Sequence, residues 1–397
     1  MDESRLATVV KSDSEDAFSP VEEKSGTIDI VALPSALDQA LAKVISPPSA
    51  NDEKDATYYK KKARAHNTYR SYASAIYDFI RWSCHPNPFP TTAFLIEQYL
   101  VEMANTIQDN NNRHALKDGD NQSPSHKYAH TTLSHRLAAL SWVHRMLDFD
   151  DPTQHTQIRT LLTGIKKDRI EAGWTEQQAP ALSFDAIKKI LPLMEDSLRD
   201  SRDKAFFLTS IMGALRQSEV VSLTVSQLTI EEKGMVITLG KTKTDQLLTR
   251  KKFTALPRVG GLFCPATALE AWLTKSEITE GPVFRGINRH GNFVMKKMKD
   301  KDGKVIDKVP TPLSHTSGNR IVKHWVNKAG VENADQYSGH SLRATFVTLA
   351  RSLGIPDALI ARQTHHRNLN TLNVYDRPEQ ILTDNPVLDV LKHFIQK

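Results

Sequence analysis

GHSLRATFVTLARSLGIPDALIARQTHHRNLNTLNVYDR, residues 339–377, is the stretch that decides how this chain folds and which chemistry it can carry. It places His340 and Arg343 three residues apart, so both project from one face of a predicted helix. The helix begins just after Ser338, where free amide groups and the helix dipole favour an anion. Arg343 at this place can bind two phosphate oxygens at once.

Two histidines and one tyrosine follow, His365, His366 and Tyr375. A tyrosine hydroxyl has a pKa of about 10, so it attacks a phosphodiester only where its surroundings help to remove the proton. A single tyrosine near a helix end is more often a packing residue, and a lone His-x-x-Arg arises by chance in many proteins. The stretch therefore predicts phenol attack on a phosphate only if other parts of the chain supply matching groups.

Two upstream segments supply such groups. GALRQSE contains Arg216, a second guanidinium for the same phosphate, with Glu219 three residues later to orient it. ITLGKTKT predicts a hairpin turn that carries Lys243, which can protonate a departing 5′-oxygen. Each residue also has an ordinary interpretation: an Arg–Glu pair on a helix surface, and a lysine exposed to solvent.

Composition indicates a soluble, basic chain, and it fits a polyanionic partner as well as it fits a basic protein without one. The 397 residues predict two domains, and no apolar run is long enough for a membrane span or a secretory signal. Only two cysteines occur, which favours a reducing cytoplasm. Residues 1–50 contain nine Asp and Glu against four Lys and Arg, so the rest of the chain is more basic than the net charge of +6 indicates.

The pattern of the N-terminal half is helical. Residues 1–56 are interpreted as an acidic, flexible tail and residues 57–172 as four amphipathic helices in one small bundle. Basic side chains on these helices, with His144 among them, are expected to be exposed, and Lys127 and Arg136 are candidate DNA contacts, although such residues are more often a solvated face. The polar segment from Lys166 to Ala181 is interpreted as the region that contains the interdomain linker. The linker itself is placed at residues 173–182, after the helical domain.

Residues 183–397 are predicted to form a second, α+β domain. Ser183 is expected to cap its first helix, and residues 236–248 predict a β-hairpin in which Lys241 is a further candidate DNA contact. The charged segment 296–308 has Asp302-Gly303 as its expected hairpin tip. A last apolar helix at 386–396 must dock on its own domain or on a neighbouring subunit. The fold class is thus mainly α with a small antiparallel β-sheet.

Arg, Lys, His-x-x-Arg, His and Tyr in this order resemble the tyrosine recombinase (phage integrase) family, and within it the Cre-like site-specific recombinases. The resemblance covers roughly residues 58–395: the helical part resembles the core-binding DNA-binding domain, ITLGKTKT the lysine-bearing hairpin, and the last helix the one exchanged between protomers. It implies a metal- and ATP-independent enzyme that needs no cofactor.

The resemblance also implies a role for each catalytic residue. Arg216 and Arg343 bind the scissile phosphate, with Glu219 in support. Lys243 is the general acid, His340 accepts a proton near the nucleophile, His366 donates to the phosphate and Tyr375 is the nucleophile. The family usually has glycine immediately before the equivalent of His366, whereas this chain has His365, which leaves His365 as an alternative. The nine-residue spacing to Tyr375 favours His366.

Three functions compete at this point. The resemblance favours a site-specific recombinase that binds inverted-repeat sites in double-stranded DNA as a homotetramer. It implies a cytoplasmic protein at the nucleoid, encoded by a bacterium, a phage or a plasmid. A type IB-like topoisomerase uses the same phosphotyrosine chemistry as a monomer without choosing sites. A non-catalytic DNA-binding regulator on this scaffold has no need for Tyr375.

Overall fold

The computed structural model describes residues 54–55, 58–59, 62, 66–85, 88–107, 128–174, 178–240, 252–299, 305–366, 368–369 and 371–372. The chain divides into two compact units with the boundary after Trp174. Several predicted features lie outside the described residues: the acidic tail apart from residues 54–55, the residues Lys127, Lys241, Lys243 and Tyr375, and the helix at 386–396. None of the helices in the described ranges is both long and apolar enough to cross a bilayer.

The N-terminal unit is built from helices whose apolar faces meet in one core. They are α1 (His66–Ser83), α2 (Ala93–Asn105), α3 (His130–Met146) and α4 (Thr156–Glu171), with a short 3-10 turn at Pro152–Gln154. Aromatic rings fill the centre of this core, where Tyr69 meets Trp142 edge-on and Phe79 meets Tyr99 in the same way. The predicted helical bundle is confirmed. Thr92 caps α2, because its hydroxyl accepts from the amide of Leu95.

Two details of this unit differ from the prediction. His144 is fully buried, whereas it was expected to be exposed. Its Nδ1 lies 2.7 Å from the Leu140 carbonyl, and its Nε2 accepts from the Thr91 amide at 3.1 Å. Helix α4 continues to Glu171, six residues into the polar segment interpreted as linker. Arg169 explains this continuation, because its buried guanidinium donates to the Tyr128 carbonyl and to the Ala104 carbonyl at the end of α2.

Helices dominate the C-terminal unit. They are α5 (Phe184–Ile190), α6 (Leu198–Met212), α7 (Gln217–Val221), α8 (Pro265–Ser276), α9 (His315–Lys328), α10 (Gly339–Ser352) and α11 (Asp357–Thr364). Helix α6 lies in the middle of the core and packs against α8 and α10. The predicted cap at Ser183 is confirmed, as its hydroxyl accepts from the Ala186 amide.

A three-stranded antiparallel sheet flanks these helices. Its order is β1 (Leu228–Glu231), β2 (Gly234–Leu239) and β3 (Lys252–Pro257), with Ile237 opposite both Leu228 and Thr254. The structure thus confirms a small antiparallel sheet and adds strand β1, which the sequence pattern did not predict. Because β2 ends at Leu239 and β3 begins at Lys252, the segment between them contains Lys241 and Lys243.

The charged segment that follows α8 forms a second, two-stranded ribbon. Strand β4 (Met295–Lys299) pairs antiparallel with β5 (Val305–Pro310), which agrees with the predicted hairpin around residues 302–303. Lys297 lies directly opposite Lys308, and both side chains are exposed to solvent.

Candidate active site

The start of helix α10 is fixed by close packing. The Ser338 hydroxyl accepts from the amide of His340, and the Gly339 amide donates to Asn319 Oδ1 at 2.9 Å. A Cβ at position 339 would lie 2.4 Å from Cδ of Gln217, a nearly buried side chain. Only glycine therefore allows this helix start, and the start sets the position of Arg343 one turn later.

Arg343 is the centre of the site. It is 4% exposed, and its guanidinium donates to the Ala214 carbonyl and the Thr364 carbonyl, each at 2.6 Å. Its Nη2 also lies 3.1 Å from Nε2 of His366. These three acceptors are neutral, so they fix the guanidinium without cancelling its charge. Arg343 thereby joins α10, the turn after α6 and the end of α11.

Arg216 reaches the same place from the N-terminus of α7. Glu219 holds it twice, since one carboxylate oxygen accepts from the Arg216 amide at 2.8 Å and the other from its Nη1 at 2.9 Å. Both side chains are largely shielded from solvent. Ala214, two residues before Arg216, is the residue whose carbonyl accepts from Arg343. Glu219 thus orients Arg216 in the structure, as expected from the sequence.

The contacts of His366 determine its proton position. The Thr364 hydroxyl donates its one proton to the Ile360 carbonyl at 2.8 Å, so at 2.7 Å it accepts from Nδ1–H of His366. Nε2 then keeps a lone pair for Arg343. Burial, followed by the charges of Arg343 and Arg216, lowers the pKa of His366 to about 4. The imidazole is therefore neutral at neutral pH.

His365 points to a different partner. It adopts the left-handed conformation with φ of +57° at the end of α11, and its Nε2 lies 2.9 Å from the Thr254 hydroxyl in β3. Burial lowers its pKa; the charge of Glu219 opposes this shift, and those of Lys252, Arg343 and Arg216 add to it. Of the two histidines, His366 contacts Arg343 and His365 contacts the sheet.

His340 is exposed on the first turn of α10, one turn before Arg343. The chain is fixed close to the predicted nucleophile as well, because Leu372, three residues before Tyr375, is fully buried with Val347 and Ile360. The structure thus brings together Arg216, Glu219, Arg343 and His366. His340 is exposed to solvent on the helix that carries Arg343.

Arg136, the described candidate for DNA binding in the N-terminal unit, lies elsewhere. Its guanidinium bonds to the Asp78 carboxylate and the Tyr99 hydroxyl and lies 4.7 Å from the centre of the Tyr128 ring. Burial lowers its pKa. These contacts give Arg136 a part in holding α1, α2 and α3 together, and its binding to DNA stays a prediction.

Sequence reasoning missed three residues of the site. Ala214 contributes only a main-chain carbonyl and has no side-chain signal. Thr364 stands directly before the histidine pair, and a hydroxyl in that position could have indicated a partner for an imidazole. Thr254 is 111 residues from His365, and nothing in the pattern of β3 marks it.

The sequence of this chain is similar to those of known proteins. A sequence model of the phage integrase family matches residues 180–380. An integrase/recombinase XerD homolog of Selenomonas ruminantium is 26% identical over 331 residues, 82% of this chain and 85% of that protein. The recombinase Cre of Escherichia phage P1 is 28% identical over 255 residues, 62% of this chain and 70% of Cre.

A similar fold occurs among solved structures. The XerH site-specific recombinase, in a post-cleavage complex with a palindromic difH substrate, matches with a TM-score of 0.53. The match covers 90% of this chain and 94% of that chain at 13% identity, so the likeness concerns the fold. Arg216, Arg343, His366 and Tyr375 all lie within the residues that the family model matches.

Proposed function

The chain belongs to the phage integrase family of tyrosine recombinases, and we propose that it cleaves and rejoins DNA through a 3′-phosphotyrosyl intermediate on Tyr375. It acts as a tetramer on two recognition sites of inverted-repeat type, in the cytoplasm of a bacterium, on the nucleoid. The observation that carries the proposal is the guanidinium of Arg343, held by two carbonyls at 2.6 Å beside Arg216.

The two arginines suit a phosphate in the transition state. Negative charge builds on the non-bridging oxygens as the phenol attacks, and groups fixed in advance stabilise this charge without reorganising. Arg216 is held by Glu219 and Arg343 by main-chain carbonyls, so neither has to be ordered by DNA. Two guanidinium groups in these positions bind and polarise the phosphate.

His366 completes the phosphate site after one change of proton position. In the free protein its Nε2 accepts from Arg343, whereas a donor to phosphate needs a proton on Nε2. A phosphate oxygen replaces Nε2 as the acceptor for Arg343, and its negative charge raises the pKa of His366. DNA binding therefore favours proton uptake at His366, which then donates to the phosphate.

Tyr375 is the nucleophile and Lys243 the general acid. The phenolic oxygen forms a bond to phosphorus, the bond to the 5′-oxygen breaks, and the 5′-oxygen takes a proton from Lys243. His340 accepts the proton of the phenol. The 5′-hydroxyl of a second strand then attacks the phosphotyrosine, which releases Tyr375 and conserves the bond energy.

Covalent trapping tests this function. We would mix the protein and a Tyr375→Phe variant with DNA from its own genomic neighbourhood, denature the mixture, and sequence the DNA ends that stay attached. Ends clustered at an inverted repeat, and lost in the variant, are expected. Scattered ends that depend on Tyr375 would favour a topoisomerase, and specific binding without an adduct would favour a regulator.

The remaining parts of the chain bind DNA and assemble the tetramer. Residues 57–172 form the core-binding domain, residues 173–182 the linker and residues 183–397 the catalytic domain, and Lys127, Arg136 and Lys241 contact phosphates. Loss of one such lysine contact should reduce the slope of log affinity against log salt by about 0.9. An unchanged slope for Lys127→Gln would contradict its assignment.

The helix at 386–396 docks on a neighbouring protomer. Its apolar residues crowd into a short amphipathic segment that needs a partner surface. A chain that ends before Asn385 should bind a single site normally and fail to pair two sites. Mass photometry of the complexes checks this, and tetramers in normal yield would contradict it.

A further inference from the structure

We infer that His365 is a positioning residue, which fixes strand β3 next to the phosphate-binding arginines by its bond to Thr254 and in this way serves the general acid Lys243, which precedes the strand in the chain. The inference rests on the proposed function, because it assigns His365 a part in delivering the general acid. It also separates the two histidines: His366 acts on the phosphate and His365 on the strand.

The first observation is the backbone of His365. The residue follows the last turn of α11 with φ of +57°, the left-handed conformation in which a helix end favours glycine. A side chain with a Cβ is strained there. Such strain persists where the surroundings fix the residue, and at functional sites it is part of how groups are held.

The second observation is the contact that the strained residue makes. Nε2 of His365 lies 2.9 Å from Oγ1 of Thr254, a residue with no solvent exposure on the inward face of β3. Gln363, two residues earlier, donates to the carbonyl of the next strand residue, Ala255, at 3.2 Å and to the Met212 carbonyl at 2.8 Å. The end of α11 is therefore bonded to two successive residues of β3.

The third observation is where this strand leads. Thr254 is two residues from Lys252, the first residue of β3, and the segment before Lys252 contains Lys243. On the other side of the histidine pair, His366 contacts Arg343 at 3.1 Å. His365 and His366 are adjacent, so one short segment connects the first residues of β3 to the phosphate site. Under the proposed function, loosening this connection impairs proton delivery by Lys243, which precedes β3 in the chain.

The test uses two DNA substrates with the same sequence. One has an ordinary scissile phosphodiester, and the other has sulfur in place of the bridging 5′-oxygen. A thiolate leaves without a proton because a thiol has a pKa of about 8.5, far below that of an alcohol, so the sulfur substrate needs no general acid. A defect in delivering the acid disappears on sulfur DNA, and a defect in phosphate binding remains on both substrates.

The variants are His365→Gly, which also relieves the backbone strain, Thr254→Val, which removes the hydroxyl at similar volume, and the two combined. On ordinary DNA each should slow covalent adduct formation by about 10-fold or more. The combined variant should be no slower than either one, because both remove the same bond. On sulfur DNA all three should recover to within about 3-fold of the wild-type rate. Thr254→Ser keeps the hydroxyl and should retain the wild-type rate.

Reference variants separate the possible failures. Lys243→Ala should recover on sulfur DNA, and its failure to do so would overturn both the proposed acid and this inference. His366→Ala should stay slow on both substrates. Ser210→Ala, which removes a buried hydroxyl bonded to the Phe206 carbonyl within α6, should match the wild type on both.

Three results would overturn the inference while Lys243 stays the acid. His365→Gly could be equally slow on both substrates, in which case His365 acts on the phosphate. His365→Gly could retain the wild-type rate on ordinary DNA. Thr254→Val could retain that rate while His365→Gly is slow, and then the bond between them is not the cause. A melting temperature of His365→Gly equal to or above that of the wild type excludes misfolding as the source of any loss.

Discussion

Replacing Arg343 with alanine should destabilise the protein as well as inactivate it. The side chain is 4% exposed and donates to the Ala214 and Thr364 carbonyls at 2.6 Å, so its removal leaves two buried acceptors without their donor. Each acceptor costs about 1–3 kcal/mol when it is left unsatisfied, which gives about 2–6 kcal/mol for the pair. Water that enters the vacated space reduces this cost, and we expect a loss of about 3 kcal/mol in the free energy of unfolding.

Urea denaturation measures this loss, with tryptophan fluorescence as the signal. Trp272 and Trp325 are buried in the C-terminal unit, and Trp82, Trp142 and Trp174 report on the N-terminal unit, so the transition that the variant shifts is the one assigned to the C-terminal unit. Arg351→Ala is the matched control, because Arg351 lies on the same helix and forms a two-bond pair with Asp357, which is 39% exposed. A partly exposed pair contributes about 1 kcal/mol or less. Arg343→Lys should be intermediate, since an ammonium group cannot reach both carbonyls as a planar fork does.

Equal stability of Arg343→Ala and Arg351→Ala would refute the reasoning. In that case the Ala214 and Thr364 carbonyls do not depend on the guanidinium, and the loss of activity in Arg343→Ala belongs to phosphate binding alone. A loss of about 3 kcal/mol means instead that part of the inactivity reflects a displaced site, and the kinetics of Arg343 variants must be measured on the folded fraction.

Other predictions follow from single residues. The pKa of His366 is about 4 in the folded protein, whereas that of a free histidine is about 6.5. As the pH falls from 6.5 to 4, His366 therefore gains a proton in the unfolded chain and not in the folded protein. Stability should therefore decrease over this range by up to about 1 kcal/mol per pH unit, and urea titrations should show a weaker dependence in His366→Asn. Gly339→Ala should destabilise the protein by about 1–3 kcal/mol, because the added Cβ meets Gln217. Gly164→Ala in α4 has open space around it and should stabilise the protein by up to about 1 kcal/mol. Thermal melts compare the two variants, and equal effects would contradict the packing argument. Arg136→Met should lower the melting temperature of the N-terminal unit, since it removes the shielded guanidinium that pairs with the partly buried Asp78 and leaves this carboxylate only the Tyr99 hydroxyl and the exposed Arg81. An unchanged melting temperature with weaker DNA binding would identify Arg136 as a phosphate contact.

Local sequence determined the helices and most of their ends. Ser183 was predicted as a helix cap from residue type and position alone, and its hydroxyl accepts from the Ala186 amide. Capping depends on groups within three residues of each other, so the sequence contains all the information required. The last part of α4, Lys166–Glu171, was not predicted as helix, because a distant contact stabilises it. The guanidinium of Arg169 donates to the Ala104 carbonyl, 65 residues earlier in the chain.

The candidate residues were also determined by sequence, as a set of chemical types in a fixed order. Arg216, Glu219, His340, Arg343 and His366 were all named before any distance was known. Their types follow from the needs of phosphate chemistry, and their order follows from the family that the chain resembles.

Only the tertiary structure decided how these residues are held and which histidine contacts Arg343. Arg343 is positioned by main-chain carbonyls, which every residue possesses and which therefore leave no trace in a sequence. The roles of His365 and His366 diverge because a left-handed turn directs one ring to Thr254 and the other to Arg343. A contact across 111 residues depends on how the sheet packs against α11, and the packing of distant elements is the information that a local pattern does not contain.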